Sequence, residues 1–171
     1  MGNVMLDQPL FSKNQAGKIT KLEDKFVVSP EMENGLRILF GGKVLELMDE
    51  ASGTLANHYL SDPELVAVHV GEEVFFPRPI SSGEIGTVIA KVLLVTEKII
   101  CVHVEIWGKQ PSKRHRFTRR YAGFGLCAVI DKNGKMIKDL ELYRDPSKLT
   151  EYAEQVVKFQ RNLRKSILKA R

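Results

Sequence analysis

Residues 41–60 read GGKVLELMDEASGTLANHYL, and the apolar side chains of Val44, Leu47, Met48, Ala51, Leu55 and Tyr59 recur there at three-and-four spacing. That period is one face of an α-helix. Alanine and leucine supply helix propensity, and no proline interrupts the run until Asp62-Pro63 ends it. The spacing therefore predicts one helix over 41–60, about 30 Å long at 1.5 Å per residue.

Beyond the helix the apolar period drops to two. Residues 65–76, 85–95, 99–107 and 117–130 are rich in Val and Ile. Turn chemistry bounds each of them: Pro77 and Pro79, Ser81-Ser82-Gly83, Thr96 to Lys98, Gly108 to Pro111, and Asn133-Gly134. Connections this short force antiparallel pairing, because a parallel crossover needs about a dozen residues. Upstream, Phe26, Val27 and Val28 mark a further strand within 22–32, followed by a turn at Asn34-Gly35. Residues 1–20 lack periodicity and read as a loosely structured arm. At the other end, Ser147 or Thr150 caps a basic helix running to about residue 169. The expected class is α+β: an antiparallel sheet of about five or six strands on one long helix, with a C-terminal helix. The domain spans 21–145, flanked by the arm (1–20) and the basic helix (146–171). One helix about 10 to 12 Å wide covers only part of such a sheet, so at least a dimer is expected.

A chain of 171 residues with 43 % hydrophobic and 27 % charged residues is ordinary for one globular domain and excludes disorder. Two cysteines, Cys101 and Cys127, exclude a disulfide scaffold, and no Cys/His spacing fits a metal. No stretch has the length of a signal or membrane segment, so a cytoplasmic location is expected. The net charge of +5 is local: residues 109–120 and 158–171 each carry six cations and no acid, and the remainder holds 14 basic against 21 acidic residues. Any anion-binding role must lie in those two runs.

Phe40-Gly41-Gly42-Lys43-Val44-Leu45-Glu46-Leu47-Met48-Asp49-Glu50-Ala51 resembles the signature of hot-dog-fold acyl-CoA thioesterases, in the cytosolic acyl-CoA hydrolase branch. Phe75, Pro79, Gly83 and Glu84 are similar to that branch's Phe/Pro/Gly-Asp element, and residues 124–134 to its last strand. The resemblance covers about residues 22–140. It implies a sheet wrapped around a central helix, pairing with a second subunit, and hydrolysis of a fatty or medium-chain acyl-CoA. It implies no cofactor beyond the CoA of the substrate. A homodimer is the expected assembly, with a hexamer built as a trimer of dimers the larger alternative.

The residues suit that chemistry. A thioester carbonyl needs its oxygen polarised, which free N–H groups at a helix start can do, and Gly41 and Gly42 let it approach without a Cβ in the way. Asp49 is the candidate catalytic carboxylate, as general base for water or as nucleophile. It stands eight residues from Gly41, about 12 Å along the axis, too far for both to serve one thioester within one helix. Two antiparallel helices across a dimer axis bring the Gly pair of one subunit to Asp49 of the other, as the resembling family builds its site. Where many members carry a further polar residue before the Gly pair, this chain has Arg37 and Ile38, and Asn34 is the nearest amide. For the phosphates of CoA the candidates are Arg116 and Arg119, with Lys98 a third. The family's turn between two strands is replaced here by Thr96-Glu97-Lys98-Ile99.

Glu50 lies about 100° around the helix from Asp49 and reads as a surface group. His58, His69, His103 and His115 show no metal or triad spacing and read as structural. A dehydratase on the same fold would need a catalytic histidine where Phe75-Phe76-Pro77 stands. The remaining alternatives are a non-catalytic acyl-CoA sensor and a nucleic-acid-binding module using the basic runs, the latter not expected.

Overall fold

The computed structural model describes residues 9–109 and 117–169. Its first helix, α1 (Gly41–Leu60), has the bounds that the apolar spacing predicts, and Val44, Leu47, Met48, Ala51, Leu55 and Tyr59 are buried on the face that meets the sheet. Ser61 closes it in a left-handed conformation, φ 55°, donating its N–H to Asn57 O at 3.3 Å just before Asp62-Pro63.

Among the described residues seven strands form one sheet: β1 (Leu10–Lys13), β2 (Ile19–Val27), β3 (Leu65–Phe75), β4 (Ile85–Val95), β5 (Ile99–Lys109), β6 (Thr118–Asp131) and β7 (Tyr143–Arg144). All pairs are antiparallel in the order β1-β2-β4-β5-β6-β3, and β7 continues the β2 position along β4 at Leu94 and Val95. The four long strands are those the alternation predicts. The N-terminal region differs from expectation: β1 and the start of β2 lie in the stretch read as a loose arm. All four residues of β1 are exposed, so no buried face imposed an alternation that could be read. β2 stops at Val27 because Pro30 opens a single 3-10 turn, Pro30–Met32.

On its inner face the sheet buries Val88, Val92, Val102, Val104, Ile106 and Val129 against α1. Two glycines of β6 set how closely the helix lies. A Cβ at Gly125 would stand 2.5 Å from Ser52 Oγ, and one at Gly123 would stand 2.8 Å from Met48 Cε and overlap the carbonyl oxygen of Glu73. The middle of α1 therefore sits directly on β6 beside β3. A second tie comes from Asn57, whose Oδ1 accepts the Ala67 N–H at 2.9 Å.

The second helix, α2 (Leu149–Lys169), begins at Ser147, whose Oγ accepts the Leu149 N–H at 3.2 Å. It packs Ala153, Val156 and Val157 on the outer sheet face against Leu93, Cys101, Phe124 and Leu126. Part of the cover that sequence reasoning assigned to a partner thus comes from the chain itself. Among the described residues β3 is a sheet edge that pairs only with β6, with Val66, Val68, Val70 and Phe75 exposed. Such an edge offers unpaired backbone and apolar side chains to another strand.

Candidate active site

The start of α1 leaves backbone donors free. Phe40 caps it in extended conformation (φ −65°, ψ 136°), and its carbonyl accepts the N–H groups of Lys43 at 2.9 Å and Val44 at 3.1 Å. The amides of Gly41 and Gly42 are left without an acceptor among the described residues, at the positive end of the helix dipole. The next amide, that of Lys43, is consumed by the tight first turn. A Cβ at Gly42 would come within 2.6 Å of the Phe40 ring, so the position is closed to larger residues while that ring stays put. Exposed Leu36, Phe40, Phe75 and Phe76 are apolar residues on the segments that meet at this helix start.

A buried ion pair anchors this helix start through the segment before β4. Arg120 places Nη2 3.2 Å from Glu84 Oε2 and donates from Nη1 to Pro79 O at 3.0 Å. Tyr121 Oη accepts the Ile80 N–H at 3.3 Å, and Ile80 O in turn accepts the Leu39 N–H at 2.8 Å, immediately before Phe40. The rigid inner edge of the sheet is thereby connected to the two free amides.

Asp49 lies two turns along α1 on the side that faces β3. Its side chain is 57 % exposed, and its Oδ1 stands 2.5 Å from Nδ1 of His69. His69 Nδ1 is itself buried and has no aligned hydrogen bond, so the two atoms are close while the oxygen lies off the ring N–H direction. A bulge between His69 and Gly71 breaks the pairing of β3 with β6 at this point. His69, read from the sequence as structural, is the side chain that stands against Asp49. The signal available was phase: His69 is two residues after Ala67, which is buried against α1, and so belongs to the same strand face. Ser52 is turned elsewhere, its Oγ donating to the backbone oxygen of Asp49 at 3.1 Å. Glu50 lines a cavity of about 290 Å³ between α1 and β2 with Asp24, away from His69, and burial pushes its carboxyl above the ordinary value, helped by neighbouring Glu46.

The other candidates are more dispersed. Asn34 Oδ1 accepts the N–H groups of Leu36 at 2.9 Å and Ile38 at 3.4 Å, which folds the loop before α1. Arg37, at φ 57°, occupies the exposed left-handed position of that loop. Arg119 pairs through Nη1 with Glu105 Oε1 at 2.9 Å, opposite Trp107 near the end of β5. Lys98 sits in the turn at the other end of β5. Nine residues separate Lys98 from Trp107, about 30 Å along a strand, so Lys98 and Arg119 of one chain do not share one phosphate. Arg116 and His115 lie outside the described residues. Of the remaining histidines, His58 stacks on Phe11 at 4.2 Å, and buried His103 packs on Phe124 at 5.0 Å with burial holding its imidazole below the ordinary value. Cys101 and Cys127 are buried thiols. Burial pushes both up to about 12, aided for Cys101 by Cys127 and for Cys127 by Asp49. No group of three metal-binding side chains occurs among the described residues, and none of the described helices is long and apolar enough to cross a membrane.

Residues 36–114 match the thioesterase superfamily. No curated protein matches the chain by sequence. In structure it is similar to an acyl-CoA hydrolase from Staphylococcus aureus solved with butyryl coenzyme A, coenzyme A and coenzyme A disulfide, at 18 % identity over 88 % of this chain and 89 % of that one, TM-score 0.70. It is also similar to a hexameric acyl-CoA thioesterase, at 19 % identity over 88 % and 94 %, TM-score 0.72. The PaaI protein of Escherichia coli, from a phenylacetic acid degradation operon, follows at 23 % identity over 64 % and 72 %, TM-score 0.55. At these identities the likeness establishes the fold, a sheet wrapped around α1.

Proposed function

Since this chain is a hot-dog-fold protein whose residues 36–114 belong to the thioesterase superfamily, we propose that it hydrolyses fatty or medium-chain acyl-CoA to free acid and CoA in a site shared between two subunits. Water adds its oxygen to the thioester carbonyl carbon, the carbon–sulfur bond breaks, and the sulfur leaves as the CoA thiol. Asp49 of one subunit takes the proton of that water, or attacks the carbonyl itself to give an anhydride that water then opens. The free amides of Gly41 and Gly42 of the other subunit hold the carbonyl oxygen as negative charge builds on it. The observation that carries this reading is the pair of unaccepted amides at a helix start that has no side chains at its first two positions.

Further support comes from spacing. Alanine variants of the Staphylococcus aureus hydrolase were solved at an asparagine, an aspartate and a threonine, the asparagine fifteen residues before the aspartate. Asn34 and Asp49 have that separation here. Asn34 uses Oδ1 to fold its loop, which leaves Nδ2 as the donor for a substrate or water. For the phosphates of CoA, Arg116 and Arg119 form one candidate anchor and Lys98, at the opposite end of the sheet, another. A CoA that uses both anchors must cross a subunit boundary. Within the first basic run Arg119 is already paired with Glu105 and Arg120 with Glu84, which disfavours a free cationic stripe for nucleic acid.

A panel of acyl-CoAs from acetyl to palmitoyl, followed by thiol release with a reactive dye, tests the proposal. The expected outcome is saturable turnover, one thiol per thioester, by a species that sediments as a dimer or a multiple of dimers. Binding without turnover would favour the sensor reading, and a fully active monomer would contradict the shared site. With Cys101 and Cys127 held as buried thiols, the protein contributes little to the dye signal.

A further inference from the structure

Resting on Asp49 as the reacting carboxylate, we infer that His69 is its positioning residue, an imidazole that holds Oδ1 so that Oδ2 is presented to the substrate. His69 Nδ1 is 2.5 Å from Asp49 Oδ1, closer than any other polar contact recorded for that carboxylate, while Oδ2 has no partner among the described residues. Nothing else on the neighbouring strand does this work. Residues 65–70 of β3 are Leu, Val, Ala, Val, His and Val, so the imidazole is the sole polar side chain on that stretch.

Burial gives the contact its force. Nδ1 is shielded from water and lacks an aligned partner, and an unsatisfied buried ring nitrogen is costly. The nearest acceptor is the Asp49 oxygen, and a small rotation of either side chain aligns the two. Imidazole in the tautomer with the proton on Nδ1 donates to Oδ1, and the donated hydrogen bond fixes the carboxylate without removing its charge. Among the described residues no competing anchor stands by: Ser52 is committed to the backbone oxygen of Asp49, and Lys43, six residues earlier on α1, is paired with Glu46 at 2.6 Å. His69 is the last residue of the run Leu65–His69 that pairs without a shift with Cys127–Asp131, which places it on the strand face of Ala67; the register changes only after it, before Gly71.

The test compares His69→Ala and His69→Gln with the unaltered protein, alone and combined with Asp49→Ala, in steady-state hydrolysis of the best acyl-CoA. A positioning role predicts that kcat falls about 10- to 100-fold in His69→Ala with KM within about threefold, because the loss belongs to the transition state. It predicts that His69→Gln, whose amide donates to the same oxygen, recovers most of that loss. It also predicts that adding His69→Ala to Asp49→Ala costs nothing more. A readout independent of turnover is the nitrogen NMR signal of His69 Nδ1, which is expected to move on Asp49→Ala. His69→Ala within twofold of the unaltered protein, an equal loss in both backgrounds, a loss carried by KM alone, or an unmoved Nδ1 signal would each overturn the inference. Full activity in Asp49→Ala would overturn the functional reading and this role together, and a moved Nδ1 signal beside it would show that the contact itself is real.

Discussion

Replacing Asp49 by alanine is expected to lower kcat for acyl-CoA hydrolysis about 10³-fold, inside the ~10²- to 10⁴-fold that a positioned general base contributes. The fold is expected to survive intact. Asp49 is more than half exposed, and among the described residues its one polar side-chain contact is His69, so its removal leaves the packing of Leu47, Met48 and Ala51 on the sheet untouched. Asp49→Asn keeps the shape and removes the basicity, and is expected to be impaired to a similar degree. Thiol release and thermal melts on the same samples separate the two effects: a large loss of kcat at an unchanged melting temperature supports the assignment. Activity within tenfold of the unaltered protein would remove Asp49 from the chemistry.

Glu84→Ala is expected to have the largest effect on stability. Glu84 is buried and Arg120 nearly so, and alanine would leave the guanidinium with Pro79 O as its only recorded acceptor. Breaking one side of a buried ion pair costs about 3 to 5 kcal/mol, because the surviving charge stays desolvated. For a chain of this size that corresponds to a fall of roughly 10 °C in melting temperature. Glu84→Gln, which still accepts a hydrogen bond from Arg120, is expected to lose less. Because Arg120 also holds Pro79, and Ile80 holds Leu39, the damage is expected to reach the start of α1 and lower activity before the protein unfolds. Thermal or urea melts that agree within 1 kcal/mol between Glu84→Ala and the unaltered protein would show that the pair contributes no stability.

What the sequence made readable depended on whether one residue's neighbours recorded its environment. α1 and β4 were readable to the residue: α1 buries one face at a fixed period, β4 is a Val/Ile/Leu-rich run buried on both faces, and each ends at a chemical stop. β1 was not, because a fully exposed edge strand has no buried face to impose an alternation. The separation of Gly41 from Asp49 followed from helix rise alone, and with it the proposal of a site shared with a second subunit. The contact of Asp49 with His69 did not: it joins a helix and a strand twenty residues apart, a juxtaposition that no local pattern announces. The Glu84–Arg120 pair spans 36 residues and two strand ends, where sequence offered only an acidic residue after a glycine and one cation among six. The distance between Lys98 and Arg119 was not legible either, because it depends on the hairpin register that sends a turn residue and the partner of Trp107 to opposite ends of β5.

The shared site is tested most directly by mixing two defective subunits, Asp49→Ala and Gly41→Pro. Proline at position 41 removes one donor amide at the first helical position, where no intrahelical bond is lost. Phe40 before it is already extended, as a residue preceding proline must be, and a Cβ at 41 meets only Phe76 Cε1 at 3.7 Å. Each variant alone is expected to be nearly silent, since every site in its homodimer lacks either the carboxylate or a donor. In a hybrid dimer one site is doubly defective, and the other joins an intact Asp49 to an intact Gly41-Gly42. An equal mixture, unfolded and refolded together, is therefore predicted to recover up to about one quarter of the unaltered activity, from half of the dimers with one working site each. Activity no greater than the sum of the two parents, in a sample where hybrids have formed, would contradict a site built from two subunits.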